Sequence, residues 1–315
     1  MASIIPDGQL AYGMQLQVQS KSKTFREEWE DDADSTAIAA IAQQAGAAGF
    51  LYIAVSDHLV VPKPMDDHVQ TTWYDTVATL GWLAGITQRV RLLSHVYVLA
   101  YRHPLHTAKS FMTLDELSGG RAILGVGVGH LQREFELLGI DYDARGAITD
   151  KSIDVIRAAF ASEYPDVTTR RFGHLHDAGM APRPRQARVP IWVGGSSKAA
   201  LRRAAERGDG WLPQGTPRDE MPASIAYLLE HRKRTIGDEP IDLGAHSDLL
   251  YIGSPTWEVG SRTVTGTAER IADRLNGLGA MGVSHVQVRF RSRDLQEQLD
   301  QMTAFGAEVG PLLSR

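Results

Sequence analysis

The sequence contains no cysteine, which excludes disulfides, thiolate nucleophiles and Cys-ligated metals but leaves the compartment open. It has no stretch of 18 apolar residues, so no membrane-spanning helix is expected. Positive charge is not in excess. Lys and Arg number 33 against 38 Asp and Glu, and a net charge of −5 gives no electrostatic reason to bind nucleic acid. The opening MASIIPDGQLAYG lacks a basic segment followed by an apolar run, so no signal peptide is expected and the cytoplasm is the default location. Repeats and low-complexity tracts are also missing.

What is present is a balanced chain of 315 residues, 43% hydrophobic. That length suits one α/β barrel of roughly 250 residues with insertions. Short β-type runs alternate with amphipathic ones. Strands are expected at 13–18, 50–55, 91–99, 121–126, 189–193, 210–212, 249–252 and 285–290. Between them, Val77, Leu80, Leu83, Ala84 and Thr87 fall at helical spacing, as do Leu105, Ala108, Met112 and Leu117. Glycines punctuate the helix ends at Gly49, Gly119, Gly208 and Gly282. Strands and helices alternating over such short connections form parallel βαβ units, and eight units close a (β/α)8 TIM barrel. The runner-up, an open doubly wound sheet, would want Gly-x-Gly-x-x-Gly after its first strand, and the chain has none there. A proline-containing stretch at about 162–188 breaks the rhythm and reads as an insertion, long enough for a lid. Residues 20–35 read as a charged loop, and the whole chain, 1–315, as a single domain.

Barrel enzymes place their chemistry at the C-terminal ends of the strands. Asp57-His58 follows strand two, where His58 can give or take a proton near neutral pH, or can be a loop histidine satisfied by hydrogen bonds. In GVGVGH, Gly125, Gly127 and Gly129 leave one face bare, so that a planar ligand or another backbone can approach before His130. Gly194-Gly195-Ser196-Ser197 opens a helix and reads as a phosphate site, the alternative being an ordinary serine cap. His95 lies among apolar neighbours, as a core histidine would. His58, His95 and His130 could suggest a metal, but GMQLQV lacks the His-x-His that a metal-dependent barrel hydrolase wants on strand one, so no metal is expected. Arg289, Arg291 and Arg293 face either an anionic ligand tail or solvent, and the tryptophans read as packing.

Taken in order, VSDHLVVP, RVRLLSHVYVLAYRHPLHTAK, LDELSGGRAILGVGVGHLQREFELLGI, RGAITD and APRPRQARVPIWVGGSSKAALRRAAERGDGW resemble the luciferase-like monooxygenases. More narrowly, the chain is similar to their branch dependent on the deazaflavin coenzyme F420. The resemblance implies that Asp57 hydrogen-bonds the deazaflavin ring region and that His58 relays a proton. It implies a bulge with a non-prolyl cis peptide at His95-Val96 behind the ring, with Val98 where some relatives carry a cofactor-contacting Thr. Gly194 and Gly195 match the phosphate-binding pair. His130, a second candidate to handle the proton, stands where sugar-phosphate dehydrogenases of the branch have a Glu base, which argues against that substrate. Val128 stands where FMN-using luciferases carry an Arg, which favours the deazaflavin. The expected protein is therefore a homodimeric oxidoreductase passing a hydride between coenzyme F420 and a small-molecule substrate. An FMN-dependent monooxygenase and a non-catalytic flavin-binding barrel are the alternatives.

Overall fold

The computed structural model of the chain describes residues 3–23, 26–63 and 69–315. Its parallel strands are β1 (Ala11–Gln15), β2 (Tyr52–Val55), β3 (Arg91–Ser94), β4 (Ala122–Gly127), β5 (Ile191–Gly194), β6 (Gly210–Leu212), β7 (Asp242–Ile252) and β8 (His285–Phe290). Each pairs with the next in chain order. β8 returns to β1 with His285 opposite Ala11, so the sheet closes into the expected eight-stranded barrel. Around it run α1 (Ser35–Ala47), α2 (Thr76–Ile86), α3 (Pro104–Ser118), α4 (Gln132–Leu137), α5 (Arg145–Ala161), α6 (Lys198–Arg207), α7 (Met221–Thr235), α8 (Ala268–Gly279) and α9 (Leu295–Ala304).

The alternation along each strand builds two cores. On β2, Ile53 and Val55 join the large cluster under the helices. Tyr52 and Ala54 point the other way, into an inner cluster with Leu93, Ile123, Trp192 and Leu212. The Trp192 ring meets Tyr52 edge-on at 5.6 Å and stacks on His285 at 4.4 Å. Helix starts follow the side-chain rules: Asp34, Asp75, Ser197, Thr267 and Asp294 each accept a first-turn N–H. α3 starts on Pro104 and stops at Gly119, whose φ of +72° is the left-handed closure glycine permits.

Several boundaries differ from the sequence reading. β1 is 11–15 rather than 13–18, and Val18 turns out of the strand with φ +69°. The apolar run 91–99 is broken: β3 ends at Ser94, a cis His95–Val96 peptide makes the bulge, and pairing with β4 resumes at Tyr97–Val98. β7 begins at Asp242, not at 249, and carries a register shift between His246 and Leu249. Gly244, His246, Ser247 and Asp248 dilute its apolar signal. A further short strand, Thr263–Gly266, extends β7 outside the ring. On α3, Leu117 is 69% exposed, and fully buried Asp115 holds the inward position instead. Asp115 accepts from the amides of Ala122 and Gln186, a partnership no periodicity count can reveal. Within 162–188, Val167–Thr169 pairs antiparallel with Gly173–Leu175, and Phe172 meets the His103 ring at 5.3 Å. The charged loop 20–35 includes a helical turn, Glu28–Asp31, whose Glu30 is buried.

Candidate active site at the mouth of the barrel

β2 is buried at every position, and the chain leaves it as Ser56-Asp57-His58. The His58 side chain is only 12% exposed, and its Nδ1 lies 3.0 Å from Glu134 Oε2 on α4. Glu134 is fully buried. Its Oε1 accepts the amides of Leu59 at 2.6 Å and Val60 at 3.2 Å, and its Oε2 also accepts the Tyr101 hydroxyl at 2.8 Å. Burial pushes the Glu134 carboxyl pKa up, but the bonds from His58, Leu59 and Tyr101 outweigh it and hold the value below the usual range. Trp73 meets the His58 ring at 4.5 Å and His130 meets it at 5.6 Å, both edge-on. Burial, and then the nearness of His58, lower the His130 pKa.

Asp57 is 5% exposed, and its two oxygens are engaged within the protein. Arg102 donates to both at 2.7 Å, and the Val98 amide donates to Oδ2 at 2.9 Å. The Arg102 guanidinium also covers the Tyr97 ring at 4.0 Å. Asp57 thus anchors the backbone just past the bulge. Val96 fills space left by two glycines: a Cβ at Gly127 would stand 2.3 Å from Val96 Cγ2, and one at Gly194 2.5 Å from Cγ1. At Gly129, a Cβ would press on Phe135 at 2.8 Å and Val98 at 2.9 Å. The bare face of GVGVG therefore admits neighbouring protein at these positions.

His95 sits in the barrel with Gln15 Oε1 3.2 Å from its Nδ1 and Gln287 Nε2 3.1 Å away. Its Nε2 is buried with no hydrogen-bond partner among the described residues. It stacks on His246 at 5.8 Å, and burial with that neighbour pushes its pKa down to about 3. His95, His246, His285, Tyr52 and Gln287 enclose a void too narrow for a water molecule. Gln15 and Gln19 both donate to the Ser56 hydroxyl, so the floor of the mouth is a polar mesh.

At the β5 end, Ser197 caps α6 by accepting from Ala200 N at 3.2 Å. The Ser196 hydroxyl donates to Gln214 O at 2.9 Å and accepts from Gln214 N and Thr216. Gly195, at φ +113°, accepts from Trp211 Nε1 through its carbonyl at 2.7 Å. Both hydroxyls are thus committed to the protein, as is the Ala200 amide, and among the described residues the first-turn amides of Lys198 and Ala199 remain to meet an anion.

On the opposite rim, Arg291 lies 3.4 Å from Glu27 and Arg293 3.0 Å from Glu297, while Arg289 interacts electrostatically with Glu27 and Glu30. Trp29 Nε1 donates to Ser292, tying the charged loop to the end of β8. Among the described residues, no group of three His, Asp or Glu side chains converges as metal ligands would, and no helix is long and apolar enough to cross a membrane.

The structure brings Asp57, His58, His95, Val96, Val98 and His130 together around the ends of β2, β3 and β4, with Gly194–Ser197 on the neighbouring β5. The sequence reading missed Glu134, Tyr101, Arg102 and Trp73. Glu134 is embedded in REFEL, where alternating charges read as a solvated helix face.

A closed parallel barrel with ionisable side chains gathered at its C-terminal mouth has the layout of a barrel enzyme. The family pattern of the luciferase-like monooxygenases matches residues 14–251, and the chain belongs to that family. An uncharacterized protein of Mycobacterium tuberculosis is 30% identical over 222 residues, covering 67% of this chain and 76% of that protein. The F420-dependent hydroxymycolic acid dehydrogenase of the same species is 28% identical over 223 residues, 68% of this chain and 58% of that one. Among solved structures, the monooxygenase RslO1 from Streptomyces bottropensis superposes with a TM-score of 0.78 at 19% identity, covering 96% of this chain and 99% of that one. At that identity the likeness concerns the fold alone.

Proposed function

We propose that the protein is an oxidoreductase that transfers a hydride between coenzyme F420 and a small organic substrate. One observation carries the reading: a histidine at a strand end of the mouth, bonded to a fully buried carboxylate held in its ionised form. The F420-dependent relative supports the choice of coenzyme. The residues fit a planar heterocycle with an anionic tail. His95 Nε2 is a buried polar atom without a hydrogen-bond partner among the described residues, which the polar edge of a ligand lying over the bulge would satisfy. The α6 N-terminus, two strands further round the ring, suits the anionic end.

His95, Val96 and Val98 would line the ring side, with Asp57 behind them holding the bulge through Arg102 and the Val98 amide. Gly127 and Gly129 contribute by letting Val96, Val98 and Phe135 close in behind it, and the backbone of Gly194–Ser197 would meet the anionic end. The coenzyme, when bound, supplies hydride chemistry at a ring carbon. His58 takes the substrate proton during oxidation and returns it during reduction, with His130 at the exposed edge as its outlet to solvent. Trp29, tied to Ser292 at the end of β8, and Phe172, against His103 at the start of α3, would help to exclude water from the site. The reading includes a cytoplasmic homodimer, which light scattering should register at twice the 34.5 kDa chain mass; a monomer mass would contradict the assembly.

Titration of the purified protein with coenzyme F420 and with FMN, followed by absorbance and fluorescence, tests the cofactor. Saturable binding of F420 with weak or no FMN binding is expected. Tight FMN binding without F420 binding would replace this reading by the monooxygenase one. Binding with no turnover of any alcohol, aldehyde or ketone tried would favour a non-catalytic barrel.

A further inference from the structure

We infer that Glu134 sets the tautomer of His58, keeping the proton on Nδ1 so that Nε2 stays open to the substrate. Glu134 is a positioning residue, and its catalytic consequence rests on the reading of His58 above. The argument begins with hydrogen-bond polarity. An ionised carboxylate only accepts. Glu134 has four donors around it: the Leu59 and Val60 amides on Oε1, the Tyr101 hydroxyl on Oε2, and His58 Nδ1. A bare Nδ1 would set its lone pair against Oε2 at 3.0 Å, with the carboxylate buried beyond the reach of solvent screening. Nδ1 must therefore carry the proton, and a neutral imidazole then has its lone pair on Nε2. The other ring neighbours, Trp73 and His130, meet His58 edge-on, and Trp73 Nε1 donates elsewhere, to Gln70 O.

The same geometry says what glutamine would do there. Backbone amides cannot reverse their polarity, so Leu59 and Val60 would claim the Gln carbonyl oxygen. The Gln NH2 would then face His58 and Tyr101. Tyr101 can rotate its hydroxyl to accept, but His58 must accept at Nδ1 and so carry its proton on Nε2. Glu134→Gln is thus nearly isosteric and reverses the polarity of the catalytic nitrogen. Tyr101→Phe removes one donor and leaves the polarity alone.

The test reads the ring itself. Long-range 15N–1H spectra of the coenzyme-free protein should show the neutral His58 ring as the Nδ1–H tautomer. Tyr101→Phe should keep that signature, and Glu134→Gln should convert it to Nε2–H. An Nε2–H ring in the wild type, or an unchanged Nδ1–H ring in a folded Glu134→Gln variant, would overturn the inference. With coenzyme and substrate, Glu134→Gln should lose turnover by about 10²–10⁴-fold while the F420 dissociation constant stays within about twofold. An undiminished kcat would overturn the catalytic consequence. The spectra need no coenzyme, so a failed cofactor assignment and a failed Glu134 assignment give different results.

Discussion

Replacing His58 by alanine is expected to reduce turnover by about 10²–10⁴-fold and to leave most of the coenzyme affinity intact. The ring exchanges the substrate proton, so its loss falls on the chemical step. Asp57 does not depend on it: the Asp57 oxygens are held by Arg102 and the Val98 amide, and the bulge they anchor stays in place. The α6 N-terminus lies on a different strand unit and is likewise untouched. The variant leaves Glu134 with three donors, the two backbone amides and Tyr101, so the buried charge keeps its support and the fold survives. The measurement is kcat and KM beside a direct coenzyme titration, with unfolding curves as the check on folding. Retained turnover per folded molecule would show that His58 is a loop histidine and nothing more.

Acidification is expected to destabilise the barrel from its interior. Burial, together with neighbouring histidines, pushes the pKa values of His95 and His285 down to about 3. In the unfolded chain both return to about 6.5. The folded values are depressed, so below about pH 6.5 the unfolded chain takes up protons that the folded barrel refuses. Stability is then lost progressively as the pH falls towards 3. At pH 5 each histidine costs about 2 kcal/mol, and the pair costs about 4 kcal/mol against a typical total of ~5–15 kcal/mol. Carboxyls with raised values, Glu27, Glu30 and Asp242, act in the opposite sense at lower pH, which makes a difference measurement necessary. His285→Phe keeps a flat ring against Trp192 and removes one titrating group. Urea unfolding should show that variant losing about 2 kcal/mol less than wild type between pH 7 and pH 5. Parallel pH dependences would reject the assignment.

The barrel was legible in the sequence because strand positions 52–55 and 122–126 are short apolar runs, and 285–290 alternates polar and apolar residues, each bounded by glycine or by polar turns. What escaped were features decided across the fold. The Glu134 side chain is charged and helical, and only the folding of the 57–60 loop onto α4 turns it inward. Asp115 was displaced from the expected core list by Leu117 because hydrophobicity ranks them, whereas the Gln186 and Ala122 donors decide which one is buried. Trp73 read as packing because nothing in its neighbourhood announces His58, fifteen positions away in the chain. The GVGVGH motif was legible as a close approach, but the sequence could not say whose. At Gly127 the answer is Val96.

That answer has an evolutionary consequence. Val96 divides its two methyl groups between the vacancies at Gly127 and Gly194, on two different strands. Volume at this level of the barrel is a common holding of positions 96, 127 and 194, so neither 127 nor 194 can gain a side chain while 96 is valine. A lineage can enlarge 127 or 194 only after shrinking 96. Every such exchange alters the wall at the bulge, so the history of substitution at these sites is also a history of how the mouth was reshaped.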